Sequence, residues 1–177
     1  MRFAWMVATC AAVFVNAGCG GGGKDGKSSS QPGTEDKKAP AAKLVKVDLS
    51  SLGLPLTIDA PEGAVAVKEF GANVVKLRET FELSIEDGKR DVAAWKKELQ
   101  ESKVSPVKEF FVDTPATLYY SFAVGGDPKT MSHVFFLNTS VAGKDYHVSS
   151  RGAHINSTRK KESADLAFKC AQTLAPK

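Results

Sequence analysis

Residues 44–177 of this 177-residue chain predict an α+β domain, a single mainly antiparallel sheet covered by two helices. Three observations lead there. In "VVKLRETFELSIE", Val75, Leu77, Phe81, Leu83 and Ile85 share one parity, the alternation of a strand or strand pair with one buried and one wet face. Two segments, "DGKRDVAAWKKELQES" and "STRKKESADLAFKCAQTLA", switch to helical spacing. Between them lie strand-like runs joined by short loops, which suit antiparallel neighbours, since a parallel return needs a dozen or more residues.

Ahead of the domain the chain opens on Arg2, then the apolar run "FAWMVATCAAVFV" and the small residues "NAGC". That is the order of a secretory signal. The run is about 13 residues, short of the roughly 20 a spanning helix needs. Ala17-Gly18-Cys19 at its end resembles the lipobox of bacterial lipoproteins. The resemblance implies that residues 1–18 are a lipoprotein signal peptide. It also implies that the Cys19 thiol becomes diacylglyceryl-modified and that the new amino terminus is acylated. Asn16 stands where that family usually carries Leu. Val15-Asn16-Ala17 also fits ordinary cleavage, which would leave Gly18 first and Cys19 unlipidated. Lipidation at Cys19 is the expectation, because the segment that follows is what an anchored domain needs.

That segment, "GGGGKDGKSSSQPGTEDKKAPAAK" (residues 20–43), has no large apolar residue. It cannot offset the entropy of ordering and is expected to be a disordered tether; residues 19–43 thus form lipidated cysteine plus leash. As a flexible coil it spans roughly 27 Å, and fully stretched about 80 Å. With leader and tether set aside, residues 44–177 carry 18 basic and 17 acidic side chains, so the basic balance of the whole chain belongs to its first quarter. No nucleic-acid footprint is present.

Within the domain, "KLVKVDL" and "LPLTIDA" read as short strands around the turn "SSLG", and "APEGA" leads into "VAVK". The alternating run follows, with Glu79 breaking its apolar parity at a bulge or turn. In the middle helix Val92, Trp95 and Leu99 recur at helical spacing. "VKEFFVDT", "ATLYYSFAV", "SHVFFLNTSV" and "DYHVSS" then form a four-strand meander. In the closing helix Ala164, Ala167, Phe168, Ala171 and Leu174 line one face, with Lys160, Lys161 and Lys169 turned to water. This order of elements, with its "DAPEG" turn, resembles the PsbP-like fold over roughly residues 50–175. That family contains binding and assembly factors more than enzymes, and no functional residue is carried over from it.

The residues offer little chemistry. If "AGK" closes a hairpin with Val141 opposite Asp145, His147 lies opposite Thr139 and roughly 20 Å from His133, with His154 on the other parity. Zinc needs its ligands about 2 Å from one ion, so no metal site is expected, and no cofactor is called for. No Gly-x-Ser-x-Gly elbow is present, and "GGGGK" lacks the ending and the preceding strand of a phosphate loop. Cys170, the sole cysteine of the domain, lies in an apolar helical pattern and reads as a small buried hydrophobe. Glu82, Glu86, Glu98 and Glu101 fall on faces expected to be solvated. The aromatics of "EFFVDTPATLYYSF" and "HVFF" occupy both parities. Either these are central strands covered on both faces, or one face is exposed and sticky. In the second case Phe111, Tyr119 and Tyr120 are the candidate interaction surface.

The function expected from these readings is a non-catalytic binding or assembly module. It would be a monomer, held on a bacterial envelope membrane through Cys19, facing the periplasm or cell exterior, and meeting an envelope protein or small ligand. The alternatives are an envelope hydrolase with dispersed catalytic residues, or a structural spacer.

Overall fold

The computed structural model describes residues 42–150 and 160–177. The leader, Cys19, His154 and all but the last two residues of the tether lie outside the described residues. The first strand, β1 (Leu44–Asp48), pairs antiparallel with β2 (Leu56–Pro61), Val47 opposite Ile58, around a short 3-10 turn. Next come the hairpin of β3 (Val65–Glu69) and β4 (Ala72–Leu77), then β5 (Phe81–Asp87). Helix α1 (Val92–Glu101) precedes the strands β6 (Val107–Thr114), β7 (Thr117–Ala123), β8 (Met131–Val141) and β9 (Lys144–Ser150). Helix α2 (Lys161–Ala171) and the two-residue strand β10 (Ala175–Pro176) close the chain.

These elements overturn the expected single sheet under two helices. The described residues are mostly β, with ten strands in two antiparallel sheets and two α-helices. The PsbP-like layer expected from element order falls with it. One sheet has three strands in the order β1-β2-β10; the other has seven, in the order β3-β4-β5-β9-β8-β7-β6. The physical reason lies in the first strand pair and the chain end. β2 takes β1 on one edge and Ala175–Pro176 on the other, Ala175 opposite Thr57, so this pair forms a small sheet of its own.

The seven-stranded sheet separates two apolar layers. On one face Val75, Phe81, Leu83 and Ile85, the predicted parity, join Tyr119, Phe135, Tyr146 and Val148 beneath α2 and the small sheet. Ala164, Ala167, Cys170 and Ala171 are the residues α2 buries there. On the other face Val92, Leu118 and Tyr120 form a smaller core, with Trp95, Leu99, Phe110 and Phe136 packed around it. Neighbouring residues of one strand serve opposite cores, Tyr119 and Tyr120 in β7, Phe135 and Phe136 in β8.

Two further expectations change here. The second face of β5 is not wet: Glu82 is 1 % exposed, opposite Lys76 of β4, and Ser84 is buried with its hydroxyl 3.0 Å from that of Ser149. The β8–β9 hairpin turns on two residues, Ala142 and Gly143, with φ of 51° and 78°. Val141 therefore faces Lys144, and His147 faces Asn138 rather than Thr139. An alanine in the left-handed region is unusual for a residue with a Cβ, and nothing in "AGK" announces it.

Candidate functional site: a cleft between α1 and the sheet

The start of α1 is fixed by two short polar side chains. Asp91 caps it, its carboxylate accepting the Ala94 backbone N–H at 2.9 Å. One residue earlier, Asn138 of β8 grips the Arg90 backbone from both sides. Its Oδ1 accepts the Arg90 N–H at 3.1 Å, and its Nδ2 donates to the Arg90 carbonyl at 2.9 Å. The Arg90 guanidinium is held in turn by Glu86 of β5 at 3.1 Å. The helix is thereby docked at its first turn.

Val92, in that first turn, is the one residue α1 buries, and a cleft of about 170 Å³ remains between helix and sheet. Leu118 and Phe136 of the sheet and Val92, Ala94 and Trp95 of the helix give it an apolar lining. The Trp95 and Phe136 rings are 5.0 Å apart and tilted by 58°. Charge is confined to the rim, where Arg90, Asp91 and Glu98 stand. The volume is comparable to that of a cavity of about 150 Å³ that takes up benzene. A six-membered ring is the natural occupant in size.

His147 of β9 lies behind Phe136, stacked on it at 5.5 Å and 24°. Its Nδ1 is 3.2 Å from Asn138 Oδ1, the atom that also accepts the Arg90 N–H. An accepting oxygen there places the proton on Nδ1 and leaves Nε2 as a bare acceptor. That Nε2 is buried with no hydrogen-bond partner. Burial first, and the Arg90 cation second, push the His147 pKa down to about 4, so the ring is neutral near pH 7. Neither ring nitrogen meets a serine hydroxyl, and Ser84 and Ser149 bond to each other. A Ser–His relay, which needs nucleophile and base within hydrogen-bond reach, is not assembled at these groups. His133 stacks on Phe111 on the opposite face of the sheet, and among the described residues no cluster of His, Cys, Asp and Glu could hold a metal ion.

Of the three aromatics expected as a surface, Phe111 and Tyr119 meet on one face of the sheet and Tyr120 lies on the other. Tyr119 and Tyr120 are 3 % and 2 % exposed and point into different cores. Burial and the Asp165 carboxylate, to which the Tyr119 hydroxyl donates at 2.7 Å, push that phenol upward. Burial raises Tyr120 to about 12, against the pull of the Trp95 indole. Phe111 is half-buried, 4.9 Å from Tyr119, with the Lys161 ammonium 4.8 Å above its ring. Cys170 is fully buried, and burial pushes its thiol up to about 11.

Sequence reasoning passed over Arg90, Trp95, Phe136 and Asn138 as a group. "RDVAAW" carries the cap signal at Asp91, but Asn138 joins it only once the β8–β9 register is known. No protein-family model and no curated protein matches the chain. Among the described residues no helix is long and apolar enough to cross a membrane.

Proposed function

We propose that this chain is a lipid-anchored module of a bacterial envelope membrane, tied through Cys19, which binds an apolar ring-sized group in the cleft beneath α1 and carries out no reaction on it. The observation that carries this reading is the cleft itself, an apolar gap of about 170 Å³ whose helix is docked at one end by Asn138 and Asp91. Concave apolar sites with a few fixed polar groups at the mouth are the ordinary form of small-ligand sites. A spacer has no need of such a gap. The hydrolase reading finds less support, because His147 is committed to Asn138 and set behind Phe136.

Support for the anchor is in the sequence, in Ala17-Gly18-Cys19 after an apolar run and before a glycine-rich leash. Two or three acyl chains, at about 0.8 kcal/mol per buried CH₂, suffice for stable membrane residence. Expression of the full chain in a bacterial host, followed by intact-mass analysis of the membrane fraction, tests this half. A chain beginning at acylated Cys19 is expected. An unmodified chain beginning at Gly18 in the soluble fraction contradicts it.

A further inference from the structure

The charges around the cleft differ in how far they are already spent. Arg90 is neutralised by Glu86, its guanidinium 3.1 Å from that carboxylate, while its backbone is held by Asn138. Asp91 is engaged as the cap of α1. Glu98, two turns along the same helix, stands exposed at the rim and makes no ion pair among the described residues. The lysines nearest it on α1 do not answer it. Lys96 reaches across to Asp113 at 2.5 Å and lies over the Phe110 ring, and Lys97 is exposed and outside the lining. The mouth of an apolar, ring-sized cleft therefore carries, besides the capping Asp91, a carboxylate with neither an ion pair nor a capping role, Glu98, and its walls include an indole and a phenyl ring.

From this we infer that the cleft selects a cationic ligand, a small ring-bearing amine whose ring fills the space between Trp95, Leu118 and Phe136 while its ammonium meets Glu98. Size selects the ring, because a gap near 170 Å³ accepts about one benzene-sized group. Charge selects the amine. An ammonium at the mouth gains attraction from Glu98, whereas a carboxylate there meets Glu98 and the free oxygen of Asp91. The inference rests on the binding-module reading above and adds the ligand's chemistry to it.

Equilibrium dialysis of the full chain against benzylamine, benzyl alcohol and benzoate, which share a ring and differ in charge, tests it. Benzyl alcohol is expected to bind with a dissociation constant of about 1–10 mM, in keeping with its few heavy atoms. Benzylamine is expected to bind about three- to fivefold tighter, the gain an exposed ion pair provides, and benzoate weaker than either. Glu98→Gln, which removes the charge at the rim and keeps the side chain's size, should bring the amine's affinity down to that of the alcohol. Ala94→Leu, a good helix former that fills the gap, should abolish binding of all three probes with the melting temperature maintained. Equal affinities for amine and alcohol, or a preference that survives Glu98→Gln, would overturn the charge selection and leave the cleft reading standing. Tightest binding of benzoate would assign the mouth to Arg90 and overturn it as well. Retention of none of the probes at 50 mM (about five times the weakest dissociation constant expected for the alcohol) would remove the cleft reading itself.

Discussion

His147 shows how one buried ring couples the site to pH. Its folded pKa of about 4 lies below the 6.5 of an unperturbed histidine, because burial and Arg90 both disfavour the imidazolium. As pH falls, the unfolded chain takes up the proton first. The contribution of neutral His147 to stability is therefore complete above about pH 6.5 and is lost progressively as pH falls towards 4. The loss is on the order of 1–3 kcal/mol once solvent screening is allowed for. Urea unfolding at pH 7 and pH 4.5 checks this against His147→Gln. The native chain should lose more stability between the two pH values than the variant does, and equal losses would show that His147 is not the group responsible. Asn138 belongs to the same cluster, since one amide group serves the Arg90 N–H, the Arg90 carbonyl and His147 Nδ1.

The two helices are secured differently. α2 buries Ala164, Ala167, Cys170 and Ala171, and Phe168 beside them packs 5.1 Å from the Tyr119 ring and 5.2 Å from that of Phe135. α1 buries Val92 alone and relies on its docked first turn. Amide exchange followed by mass spectrometry should accordingly be faster in α1 than in α2, and the reverse order would refute this packing difference. Phe168→Ala should cost about 3 kcal/mol in urea unfolding, whereas Lys169→Ala, on the exposed side one residue away, should change stability by less than about 0.5. Equal effects would mean that α2 does not pack by this face. Both helices, the closing helical face and the buried parity from Val75 to Ile85 were legible in the sequence, because each repeats a period several times. The turns were less so. Phe70, Arg78 and Ala142 take φ of 49°, 49° and 51° at hairpin ends, a conformation that glycine or asparagine usually signals. One such turn moved His147 by a residue along β8, and with it went any sight of the Asn138 cluster. The pairing of Ala175–Pro176 with β2 is too short to carry a period at all, and it decides that there are two sheets.

At the scale of the molecule, the seven-stranded sheet divides a large core from a small one, and the candidate site lies on the smaller side. The larger core includes Cys170, the only cysteine among the described residues. Residues 44–177 prepared alone should be monomeric in solution and unfold in one transition, with a melting temperature unchanged by reductant. A large drop on reduction would reveal an intermolecular disulfide that the burial of Cys170 excludes. The claim that matters most is that ligands enter on the α1 side. Amide chemical-shift mapping during a benzylamine titration tests it directly. Shifts confined to residues 90–98, Leu118 and Phe136 are expected. Shifts gathered instead around Phe111, Tyr119 and α2, on the opposite face, would contradict it.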